Sequence, residues 1–175
     1  MACRPCQKAG YVNLIYTIMD KSTDKKNVVS VYEFIVHRKR VSASTDTISN
    51  GAHVARFCHE TIYDEDEMWR EKAVAIYLTK SNKILGYEVL SVGGPNTCSF
   101  EPKMICRTAV QMMADSVVAV HNHPSGNPLP SQQDIEQMNK LRRSLACLDI
   151  KLLDAVIITD SNRFFSFESE VESRY

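Results

Sequence analysis

From residue 71 the chain runs apolar, breaks at Lys80-Ser81-Asn82-Lys83, and runs apolar again to residue 92. Two β-rich runs around a short polar break predict a hairpin of strands over 71–78 and 84–92. Gly93-Gly94-Pro95-Asn96 then interrupts the pattern. Pro102 suits a first helical turn, and Ile105, Ala109 and Met112 recur at helical spacing, which predicts a helix to about residue 114. Residues 116–121 form a short apolar run and predict a buried strand. Gly126 and the prolines at 124, 128 and 130 force a loop over 122–130. Ser131 stands where an N-cap belongs, and Ile135, Met138, Leu141 and Leu145 form one stripe of a helix to about residue 147. Residues 150–159 and 163–167 read as two last strands around Asp160-Ser161-Asn162.

Upstream, the first ten residues read as disordered, and residues 12–18 and 28–36 as strands. Asn50 can cap a helix to about residue 62, with Val54, Phe57, Cys58 and Ile62 near one face. The organisation predicted is an N-terminal extension over 1–65, strands plus one helix, and a catalytic domain over 66–170. Strands interleaved with helices predict an α/β fold, an α-β-α sandwich on a mixed sheet. Edge strands of such a sheet permit a homodimer.

Composition narrows the class. The 175 residues are 44% hydrophobic and 24% charged, which is the balance of a globular protein with a core of its own. The 21 basic and 21 acidic side chains cancel, so net charge makes no case for a nucleic-acid partner. The short run His37-Arg38-Lys39-Arg40 reads as a solvated loop. The six cysteines follow no disulfide framework, and the lone Cys3-Arg-Pro-Cys6 pair lacks a second pair to make a metal site. No signal peptide or membrane-spanning run is found, so a cytoplasmic protein is expected.

One segment carries chemistry: His121-Asn122-His123-Pro124-Ser125-Gly126-Asn127-Pro128-Leu129-Pro130-Ser131-Gln132-Gln133-Asp134. In an extended chain, residues two apart point the same way, so His121 and His123 can face one point at the end of their strand. Asp134, third after the Ser131 cap, sits in the first turn of the next helix. Two imidazoles and a carboxylate make a three-ligand set for catalytic zinc, with a position left for water. A carboxylate must also move the proton. The chain offers Glu71, Glu88 and Glu101 before the segment and Asp154 after it, and spacing does not choose among them.

His-x-His-Pro followed by Pro-Ser-x-x-Asp resembles the JAMM (MPN+, JAB domain) metalloprotease signature, and His-Asn-His-Pro-Ser-Gly resembles its RadC-like branch. Tyr77-Leu78 and Asn82-Lys83-Ile84-Leu85-Gly86 are similar to the family's first hairpin, and Leu152-Leu153-Asp154 with Ser166-Phe167 to its last strands. Residues 12–16 and the helix near 50–67 resemble the leader of short RadC-like proteins of bacterial mobile elements. The resemblance implies a sheet layered as in cytidine deaminases and one zinc per domain. It implies His121, His123 and Asp134 as ligands, Glu71 as general base, and Ser131 as a donor to the oxyanion. Where the family has Asp-His in the penultimate strand, this chain has Asp154-Ala155. The helix-hairpin-helix module that precedes many RadC proteins has no visible counterpart in residues 1–65.

The function expected is zinc-dependent hydrolysis of a peptide or isopeptide bond in a peptide or protein substrate. The alternatives are a DNA-repair-associated or DNA-binding accessory protein, and a non-catalytic MPN interaction module.

Overall fold

The computed structural model describes residues 47–63, 68–93, 100–160, 162–169 and 171–174. The strands expected over 12–18 and 28–36 lie outside these residues. The described elements run α1 (Gly51–Thr61), β1 (Lys72–Leu78), β2 (Ile84–Val92), α2 (Pro102–Gln111), β3 (Ser116–Asn122), α3 (Gln132–Ala146), β4 (Lys151–Ile158), β5 (Arg163–Ser166) and β6 (Val171–Arg174). The strands form one sheet in the order β2-β1-β3-β4-β5-β6. β3 and β4 pair in parallel, and the other pairs are antiparallel. The sheet is therefore mixed, as expected.

β1 and β3 are buried along their whole length, as their unbroken apolar runs require of central strands. Alternation splits their side chains between two cores. Val74, Ile76, Leu78, Val118 and Val120 meet Val54, Phe57 and Cys58 of α1 on one face. Ala73, Ala75, Tyr77, Val117 and Ala119 meet Ile105 and Ala109 of α2 and Leu141 and Leu145 of α3 on the other. Helices thus cover both faces, in the α-β-α layering expected.

The helix ends follow their caps. The Asn50 side chain accepts from the His53 N–H and starts α1. Ser131 starts α3 with a reciprocal capping box to Asp134. Two details differ from the pattern. Ile135 was expected on the inner stripe of α3, but it is exposed, and the buried positions are Met138, Leu141 and Leu145. Ile135 lies about 100° round the helix from buried Asp134, off the side of the inward arc. β6 was not expected; it pairs with β5 through Ser166↔Val171 to Arg163↔Arg174. Among the described residues, no helix is long and apolar enough to cross a membrane.

Candidate metal centre

β3 ends in His121-Asn122, and His123 continues it, with its N–H bonded to the Ile158 carbonyl at 2.9 Å. His121 belongs with Val117 and Ala119 on the face under α2 and α3, where the Phe100 ring packs edge-on against it at 5.5 Å between centroids. The two imidazoles meet there, Nε2 to Nε2 at 3.0 Å. α3 starts over the same point. Asp134 brings Oδ1 to 3.2 Å from His121 Nε2 and Oδ2 to 3.6 Å from His123 Nε2.

Glu71 arrives from the neighbouring strand. Antiparallel pairing sets Ala73 opposite His121, so the residue two earlier lies level with His123 and on the same face. A Glu71 carboxylate oxygen and one nitrogen from each histidine all lie within 4.8 Å of one another. The structure thus gathers Glu71, His121 and His123 at one point, with Asp134 against both imidazoles, in a mostly buried setting. It also sends the competing carboxylates elsewhere. Glu88 accepts from the Tyr77 hydroxyl at 2.9 Å and pairs with Arg107. Asp154 accepts from the Ser166 hydroxyl and the Ala155 and Glu168 N–H groups. Glu101 is the N-cap residue of α2.

The loop between His123 and Asp134 holds the His123 ring. Its Nδ1 lies 2.8 Å from the Asn127 carbonyl, which can only accept. Nδ1 therefore carries the proton, and in the neutral ring Nε2 presents a lone pair inward. Gly126 turns the loop at φ 75°, where a side chain would strain the backbone. Arg163 of β5 reaches the Gly126 carbonyl at 3.4 Å.

Ser131 sits beside the centre rather than in it. Its hydroxyl donates to Asp134 Oδ2 at 2.6 Å, and its N–H donates to the same oxygen at 2.7 Å. Oδ2 is thus shared between the cap and His123, and Oδ1 faces His121.

The electrostatics follow from burial and crowding. Burial pushes the Glu71 carboxyl above its ordinary range; the His123 charge opposes this and the Asp134 charge adds to it. Burial also lowers His121, against its bond to Asp134. For His123, burial works downward, but bonds to Asp134 and Asn127 and the charges of Asp134 and Glu71 raise it overall. For Asp134, burial works upward and is overcome by bonds to both imidazoles and Ser131, which hold the carboxyl well below its usual range. Two ring nitrogens 3.0 Å apart, flanked by two carboxylates, concentrate lone pairs that only a shared proton or a cation relieves. The donor set of imidazoles and carboxylates suits a divalent transition metal such as zinc. The residues present therefore fit a metal.

Sequence reasoning did not find the supports of this centre, Asn127 and Phe100. The place of Asn127 in the ligand loop was the signal for one; the Phe100 contact has no local signal.

Known proteins place the chain. A family model described as the RadC-like JAB domain matches residues 48–172. A UPF0758 protein of Aquifex aeolicus is 37% identical over 111 residues, 63% of this chain and 48% of its own length. One from Streptococcus thermophilus is 36% identical over 152 residues, covering 87% of this chain and 64% of the relative. One from Methanosarcina mazei is 39% identical over 104 residues, 59% of this chain and 45% of its own. The chain thus spans roughly half to two thirds of the length of these relatives. With its domain-long match and its histidine strand facing a capped aspartate, the chain belongs to the RadC-like JAB domain family.

Proposed function

We propose that this chain is a zinc-dependent hydrolase that cleaves peptide or isopeptide bonds, with His121, His123 and Asp134 as ligands and Glu71 as general base. The observation that carries it is the convergence of Glu71 and both histidines on one point, with Asp134 against both imidazoles and the outer nitrogen of His123 tied to Asn127. A zinc ion held there would act as a Lewis acid, polarising a carbonyl and making water nucleophilic near neutral pH.

The chain's own groups do the rest. Asp134 has one oxygen fixed by the cap and one aimed at His121, which suits it to be a ligand. Glu71 comes from a different strand and brings a carboxylate oxygen within 4.8 Å of both histidines, which suits it to take a proton from water and return it to the leaving nitrogen. Ser131 has one hydroxyl hydrogen, now given to Asp134, so it serves a developing oxyanion only by releasing that bond.

Metal content of the purified protein tests the reading, beside a His121→Ala, His123→Ala variant. About one zinc per chain, lost in the variant, is the expected result. No metal in either after zinc is supplied would overturn it and favour an interaction module. With zinc supplied in excess, Glu71→Gln should still load the metal, though more weakly, and lose about 10²–10⁴-fold in peptide cleavage.

A further inference from the structure

Asn122 stands between the two histidines, yet its side chain points away from them. Strand alternation sends residues 121 and 123 to the face under α2 and α3, and Asn122 to the face under α1. There it is fully buried and uses its whole amide. Oδ1 accepts from the Lys72 N–H at 2.7 Å. Nδ2 donates to the Met68 carbonyl at 3.0 Å and the Arg70 carbonyl at 2.8 Å. These three backbone groups bracket Glu71 on both sides. Strand pairing secures this segment on one side only: β2 reaches it through Lys72↔Val92 and a 2.8 Å bond from the Gly93 N–H to the Glu71 carbonyl, whereas the β1–β3 register begins at Ala73↔His121. Trp69 and Arg70 are exposed and stack on each other, so Met68 is the buried side chain of the turn.

We propose that Asn122 is a positioning residue that holds Glu71 against the histidine pair by gripping the backbone around it from the opposite face of the sheet. This rests on the reading of Glu71 as the base of a metal centre. The residue type follows from the bonds. One acceptor and two donors at this reach are an asparagine amide; aspartate lacks the donors, and serine is too short to hold all three groups.

The test is a double-mutant cycle on zinc affinity, measured by competition with a chromophoric chelator. The proteins are wild type, Asn122→Ala, Glu71→Gln and the double variant. If Asn122 acts through Glu71, each single change weakens zinc on the order of 10-fold, and the double is no weaker than the weaker single. Losses that multiply to about 100-fold overturn the proposal, since the two residues then act independently. Either single variant binding as wild type overturns it too, because no effect of Glu71 is then transmitted. If Asn122→Ala does not fold by circular dichroism, Asn122→Asp takes its place, keeping size and acceptor while losing both donors. Trp69 is the chain's only tryptophan and reads the turn without metal. Its fluorescence anisotropy should fall in the Asn122 variant and hold in Glu71→Gln, and no change would overturn the proposal. A wild type that takes up no zinc overturns the metal reading itself, a result distinct from additive losses in proteins that bind it.

Discussion

Asp134 divides its two oxygens between stability and the centre, so a change beside it should register in both. Ser131→Ala removes a hydroxyl that donates to Oδ2 and accepts from the Asp134 N–H. Urea unfolding should find the variant about 1 kcal/mol less stable, as for other lost N-caps. Zinc affinity should fall on the order of 10-fold, because a ligand loses its support. Asp154 offers a pH prediction. Burial holds its carboxyl above the ordinary value, against the bonds from Ser166, Glu168 and Ala155. A group raised on folding contributes stability that is complete below its unfolded pKa, about 3.9, and is lost as pH rises through the folded value. Urea melts of wild type and Asp154→Asn should therefore show wild type gaining on the variant as pH falls through the carboxylate range. A constant gap would refute the shift. At this scale the proposed ligands were legible, since two histidines and an aspartate lie within one short segment. The proposed base was not legible from spacing, because four carboxylates fit the chemistry and only the pairing of β1 against β3 brings Glu71 to the histidines.

Among elements, α3 was the most legible, because Ser131 and Asp134 announce its start and a three-residue stripe its inner face. Ile135 misled because it stands at the side of the arc that Asp134, Met138, Leu141 and Leu145 bury, and periodicity does not say how wide the buried arc is. The distinction is measurable. Leu141→Ala, wholly buried, should cost about 2–5 kcal/mol in unfolding experiments, whereas exposed Ile135→Ala should stay within about 0.5 kcal/mol. β6 was illegible for another reason. Val171-Glu172-Ser173-Arg174 has a single apolar residue, and its pairing is made by backbone groups along the edge of β5. The hairpin of β1 and β2 was readable because its turn is polar and short, with Asn82 in the left-handed region at φ 59°.

For the molecule as a whole, metal and fold should be linked. A ligand that binds only the folded state stabilises it by mass action, about 2.7 kcal/mol at a free concentration a hundred times Kd. Differential scanning fluorimetry with zinc should raise Tm by roughly 5–10 °C, reversed by a chelator and absent in the His121→Ala, His123→Ala variant. The three-layer architecture was legible because apolar runs and helical stripes alternate through the chain. How the two cores divide the residues was not, because it depends on register. That register makes the centre all-or-none. Histidines and asparagine alternate along β3, so one residue deleted between Val117 and Val120 would turn the whole strand end over. The imidazoles would enter the core beneath α1 and the Asn122 amide would face the carboxylates. Natural variation here should therefore exchange side chains in place and shun gains or losses of single residues, confining length changes to the loops at either end of the strand.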